Sequence, residues 1–148
     1  MLGDLLEAEA ELDRLDAEAR THPEVLAVRY EIHMVRGDWV RCFEIAQHQL
    51  QVEPEDSAGW IHGAYALRRM PGGGLEAAYE ALLPAVKMCP KEPVVVFNLA
   101  CYACQLGLLE EAWEWLGQAV KLSTRAEIVR MALVDDDLEP LRARLKEL

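Results

Sequence analysis

The sequence predicts an all-α fold made of stacked helix pairs, and three observations carry that expectation. The first is composition: over 148 residues, apolar side chains make up 52%, charged ones 28% and aromatics only 7%. Ala, Leu and Glu dominate, and all three are good helix formers. The second is a recurring spacing. Gly37 to Gly73, Cys42 to Ala78 and Pro54 to Pro90 are each 36 residues apart, and Gly73 to Gly107 and Ala78 to Ala112 are 34. A period of that length marks a repeated pair of helices. The third is the stretch Asn98 to Leu122, which reads as two short amphipathic helices around Gly107. Leu99-Ala100 sets a large residue beside a small one, and Ala112, Leu116 and Ala119 alternate small and large along the second helix. Small residues let helix axes approach, and large ones fill the grooves between them.

Taken in order, Leu5, Ala8, Leu12 and Leu15 recur every three or four residues and predict one helix from about Leu2 to Ala19. This helix serves as a cap over residues 1–20, with Glu7, Glu9, Glu11 and Glu18 in water. Thr21-His22-Pro23 breaks the chain, and Pro is accepted in the first turn of a new helix, where no donor is needed. A first unit then spans residues 23–54: a helix to about Arg36, a turn at Gly37-Asp38, and a helix carrying Trp39, Cys42, Ala46 and Leu50 before the stop at Glu53-Pro54.

The second unit, residues 55–90, opens on the N-cap pair Asp56-Ser57 and presents Trp60, Gly63, Ala64 and Leu67. Met70-Pro71-Gly72-Gly73-Gly74 is its turn. No strand precedes these glycines and no Lys-Ser/Thr pair follows them, so they do not read as a phosphate cradle. Ala78, Leu82 and Ala85 face inward on the next helix, which Pro84 should kink. The third unit, residues 91–124, begins at Glu92-Pro93; the repeat register makes Val94 to Phe97 helical despite their strand-like composition. Beyond Leu122 the copy decays into a cap over residues 125–148. It holds a short helix from about Arg125 to Leu133, then Asp135-Asp136-Asp137 capping a last helix through Leu138, Leu141 and Leu145. One domain without a linker is expected.

Through Leu99-Ala100, Gly107, the Ala112-Leu116-Ala119 series and the pair Trp60 and Ala64, the chain resembles a tetratricopeptide repeat protein over roughly residues 23–124. The first unit departs most: Arg29 and Tyr30 stand where Leu99 and Ala100 do, and Gln49 replaces Ala119. The resemblance implies a right-handed α-α superhelix, a solenoid whose first helices line a concave groove for extended or helical segments of partner proteins. Helical spacing then assigns groove residues. In the second unit they are Ile61, His62, Tyr65, Arg68 and Arg69; in the third, Phe97, Asn98, Cys101, Cys104 and Gln105; in the first, Glu31 and Met34. Arg68 and Arg69 either take a carboxylate of the ligand or complement the end of their helix and face water.

One branch of that family grips the C-terminal carboxylate of chaperones with Lys, Asn and Arg. At the matching places this chain has Ala27, Glu31, His62, Val94 and Asn98, so a chaperone-tail clamp is not expected.

The net charge of −11 and a pI near 4.8 argue against nucleic acid or an anionic membrane as partner, since either needs a basic face. The N-terminus lacks a basic leader and no stretch approaches the roughly 20 apolar residues of a membrane span. A cytoplasmic protein is expected, and with it four reduced thiols, Cys42, Cys89, Cys101 and Cys104. Cys101 and Cys104 form a single C-x-x-C; a zinc site needs four ligands, and His22, His33, His48 and His62 are scattered. No metal, no cofactor and no enzymatic constellation is expected. The function expected is that of an adaptor for a peptide or helix of a bacterial cytoplasmic partner. The alternative is a structural module that self-associates, as a homodimer, through its convex or terminal surface. Trp115 lies off the packed face and either serves that surface or packs on the C-terminal cap.

Overall fold

The computed structural model describes residues 2–148, and from residue 5 onward their burial. The fold is all-α: ten α-helices and a closing 3-10 helix, with no strand among the described residues. The N-terminal cap is two helices, α1 (Leu2–Asp13) and α2 (Ala17–Arg20), where the apolar spacing predicted one. Asp16 is the reason: its carboxylate accepts from Ala19 N at 2.8 Å and starts a new helix inside the predicted one.

The first unit pairs α3 (Pro23–Arg36) with α4 (Trp39–Val52), joined through Gly37 at φ 71°. Pro23 opens α3 as predicted, with His22 Nδ1 accepting from Glu24 N at 3.4 Å. The second unit sets α5 (Ser57–Arg69), capped by Asp56, against α6 (Leu75–Leu82) and α7 (Ala85–Met88). Pro84 divides this helix instead of merely bending it, since its ring removes one donor and crowds the preceding turn. The third unit pairs α8 (Pro93–Gln105) with α9 (Leu109–Leu122), and Val94 to Phe97 are helical as the register required.

Two glycines are fixed by close approach. A Cβ on Gly59 would stand 2.9 Å from both the backbone nitrogen and the Cγ of Leu50, so the α5 backbone lies directly against the backbone and side chain of α4 there. In the turn after α5, a Cβ on Gly73 would meet the Leu67 carbonyl oxygen at 1.9 Å; that oxygen accepts from Gly74 N at 2.9 Å. The extra length of this turn therefore folds back onto the end of α5.

Helices pack chiefly on their sequence neighbours: α3 on α4, α4 on α5, α5 on α6 and α8 on α9, with α5 and α6 also reaching α8. The small positions predicted to let axes approach, Ala64, Ala78, Ala100, Ala112 and Ala119, are fully buried, as are Leu82, Leu99 and Leu116 between them. Each such leucine contributes roughly 1.5–3 kcal/mol through the apolar area it withdraws from water. At Tyr30, which takes the place of Ala100 in the first unit, the large side chain is accommodated: it is 2% exposed, and its hydroxyl donates to the carbonyl of His62 at 3.1 Å.

The chain closes with α10 (Arg125–Val134) and a 3-10 helix over Asp136–Glu147, where an α-helix was expected. Pro140 lies inside it and interrupts its run of backbone donors. Leu138, Leu141 and Leu145 are buried, and the segment packs on α8 and α10. Among the described residues no helix is long and apolar enough to cross a membrane.

Candidate functional site

A cleft of about 550 Å³ lies where α5, α8 and the C-terminal cap meet. Tyr65, Arg68 and Arg69 come from α5; Phe97, Asn98, Cys101 and Tyr102 from α8; Met131 and Val134 from α10; and Asp135, Asp136 and Asp137 from the start of the 3-10 helix. Six of the residues that helical spacing assigned to the groove are therefore together here: Tyr65, Arg68, Arg69, Phe97, Asn98 and Cys101.

The other assigned residues lie outside the cleft lining. Ile61 is half-buried against the larger core, and Met34 against a smaller one in the first unit. Glu31 is exposed on α3. Gln105 is exposed beyond the cleft and donates through Nε2 to the carbonyl of Asp137 at 2.9 Å. His62 is an internal residue: its ring stacks on Tyr30, centroids 4.0 Å apart, and its Nδ1 meets Gln49 Oε1 at 2.9 Å. That bond satisfies Gln49, the one buried polar or charged residue among the described residues, and with Oε1 as acceptor Nδ1 is the protonated nitrogen, because an amide oxygen only accepts. Burial pushes the His62 pKa down, with Asp56 and Glu31 opposing weakly.

Phe97 and Cys101 require correction. They were assigned to an open groove, yet they are 4% and 3% exposed, and Cys104 is buried with them. The C-terminal cap covers this part of α8. The Cys101 thiol donates to Asp135 Oδ2 at 3.6 Å, and burial together with Asp135 and Asp137 pushes its pKa far up. It is a poor nucleophile or ligand in that state. All four cysteines are buried free thiols, and burial raises Cys42 to about 11. Among the described residues no three His, Cys, Asp or Glu side chains are grouped as metal ligands are.

The two arginines differ. Arg68 makes a two-pronged pair with Asp137, a short Nη1–Oδ2 contact and an Nη2–Oδ1 contact of 3.0 Å, while lying 5.5 Å from the Tyr102 ring. For Arg68 neither alternative holds as such, since the carboxylate it meets is supplied by this chain. Arg69 lies 3.5 Å over the Tyr65 ring and 5.4 Å from that of Trp39, and donates to the Tyr65 carbonyl at the end of its own helix at 3.0 Å.

Sequence reasoning missed Tyr102, Met131, Val134 and Asp135 to Asp137. The signal available was the run of three aspartates beside an apolar 138, 141, 145 series: a cap that packs on the third unit brings its acids to the end of α5, where two arginines stand. Trp115 is half-buried and finds its polar partner on α6. Its Nε1 donates to the Tyr79 hydroxyl at 3.0 Å, and Tyr79 donates in turn to Glu111, so α6 takes this indole.

No family model matches the chain, and no curated protein matches it.

Proposed function

We propose that the chain is a tetratricopeptide-type right-handed α-α superhelix that acts as a cytoplasmic adaptor and holds a peptide or helical segment of a partner protein in the cleft between α5 and α8. The observation that carries the reading is convergence: first-helix residues of two successive units, Tyr65, Arg68 and Arg69 with Phe97 and Asn98, line one concave site. The site mixes an aromatic face, an amide and charges, the composition that fixes a peptide's path and register. Tyr65 is 37% exposed and can anchor a ligand without first leaving the core. Four buried free thiols accord with a reducing setting. Self-association through Trp115 has less support, because that indole is half-buried and bonded to Tyr79.

The test is a peptide-display selection against the protein, followed by titration of the recovered peptides. Tyr65→Ala should weaken binding roughly tenfold or more, as loss of an aromatic anchor does, with the melting temperature nearly unchanged. If no recovered peptide depends on Tyr65 and light scattering shows a dimer, self-association replaces this reading.

A further inference from the structure

We infer that the segment held in this cleft is basic, carrying a Lys or Arg beside an apolar residue, with its cation placed against Asp135 and Asp136. The inference rests on the groove reading above and fixes the chemistry of the partner.

The α5 wall has lost most of its power to hold an anion. Arg68 already donates to both oxygens of Asp137, so an incoming carboxylate gains only the difference between two similar pairs. Arg69 remains as a cation, but it lies flat on Tyr65 and is bonded to its own helix end. The C-terminal wall is the opposite case. Asp136 is fully exposed, its nearest cation Arg142 at 3.8 Å. Asp135 accepts from Asp137 N through Oδ1 and from the Cys101 thiol through Oδ2, and each oxygen retains a further lone pair. Among the lining residues, with Arg68 and Asp137 cancelling, one arginine faces two aspartates; Arg142, outside the lining and 3.8 Å from a fully exposed Asp136, is screened by water and offsets them only in part, in a chain whose net charge is −11. A field of that sign raises the local concentration of cations and speeds their encounter.

The cleft also supplies what a long cationic side chain needs besides a carboxylate. Val134 is 81% exposed and Tyr65 37% exposed, and both line it. The methylene stem of a Lys or Arg can lie along such a surface while its head reaches the acids. Asn98, half-buried in the lining, offers an amide to the backbone of the segment. The aspartates alone would mark only a solvated turn; their place on the rim of a cleft with apolar walls and a neutralised arginine is what selects the occupant.

The experiment is fluorescence anisotropy on the full chain with two short labelled peptides, one alternating Lys and Leu, the other alternating Glu and Leu. The Lys/Leu peptide should bind more tightly. Asp136→Lys should weaken it by about tenfold, Arg69→Glu should strengthen it, and Glu76→Lys, an exposed change on α6 away from the cleft, should alter it by less than about twofold. Tighter binding of the Glu/Leu peptide, lost on Arg69→Glu, would overturn the basic preference and leave the groove reading standing. Equal weakening by Asp136→Lys and Glu76→Lys would reduce the effect to the overall charge of the protein and overturn it too. If neither peptide binds, the displayed peptides decide. Enrichment of Lys or Arg among Tyr65-dependent binders supports the inference, and acidic or neutral ones refute it. An absence of Tyr65-dependent binders removes both readings together.

Discussion

Between Leu5 and Asp13, α1 meets the first unit through charge: Glu9 pairs with Arg36 and, at 3.3 Å, with His33, while Asp13 pairs with Arg29 at 2.6 Å. None of those α1 residues is buried. The segment Asp136–Glu147 meets α8 and α10 through Leu138, Leu141 and Leu145, which are at most 3% exposed. The same contrast runs through the units behind the caps. The cluster at the first unit is small, Tyr30 and Cys42 with Ala66 of α5 and half-buried Met34, Trp39, Phe43 and Ile45, and a polar pair, Gln49 with His62, also bridges to α5. The core behind the C-terminal cap is continuous from Ala64 to Leu145. Polar docking at a surface contributes little and depends on pH and salt. Apolar docking contributes more and is not weakened by screening or by protonation. The N-terminal half should therefore be the conditional part of the molecule and the C-terminal half the fixed part.

The largest expected effect tests the fixed half. Leu138→Ala removes a fully buried side chain and should cost about 2–5 kcal/mol, loss of transfer energy plus the cavity left behind. Phe97→Ala, at a residue 4% exposed, should cost about 3–5 kcal/mol. Urea unfolding checks both. A change under about 1 kcal/mol in either variant would mean that the cap is loosely held and the third unit's groove is open after all.

What the sequence made legible is what depends on short range. The helix starts at Pro23, Asp56 and Pro93, the close-packed alanines and the helical Val94 to Phe97 all follow from caps and three-to-four spacing, and all hold. Six groove residues came together because they share one side of two neighbouring first helices, the side that the C-terminal cap then partly covers. What was illegible depends on where residues 135–148 fold back. Their contact with α8 spans some 30 to 40 residues of chain, as in Cys101 with Asp135 and Gln105 with Asp137. Spacing on α8 cannot register a cover that comes from elsewhere, so Phe97 and Cys101 read as open and Arg68 read as free. The 138, 141, 145 series fits an α-helix better than a 3-10 helix, so the tighter winding of this segment was not legible from spacing.

A smaller effect, confined to the conditional half, comes from His62. Its folded pKa lies below the ordinary value of 6.5, so below neutrality the unfolded chain binds a proton that the folded chain resists. The stability this residue protects is whole above about pH 7 and falls as pH drops through 6.5 toward the folded value, where the loss levels off. His62→Gln keeps a partner for Gln49 and cannot titrate. Between pH 7.5 and 5.5, the wild type should lose stability relative to the variant. A constant difference across that window would mean that the ring is solvated.

The smallest effect concerns the charged cap itself. Glu9→Gln leaves Arg36 without its carboxylate and His33 with Asp38 alone, but Glu9 is 26% exposed and Arg36 19%, so solvent screens much of the loss. The cost to global stability should stay within about 1 kcal/mol, too little to move a melting curve far. Hydrogen exchange resolves it: amides of α1 should exchange faster in the variant, while those of α8 and α9 remain unchanged. Salt should imitate the substitution, because at about 1 M the screening length falls to about 3 Å and the pairs weaken with it. Both treatments together should add little to either alone, since they remove the same interaction. If α1 protection instead survives both, then Leu5 and Leu12, half-buried along that helix, and Leu15 just beyond it hold the cap, and the two ends of the chain differ in degree and not in kind.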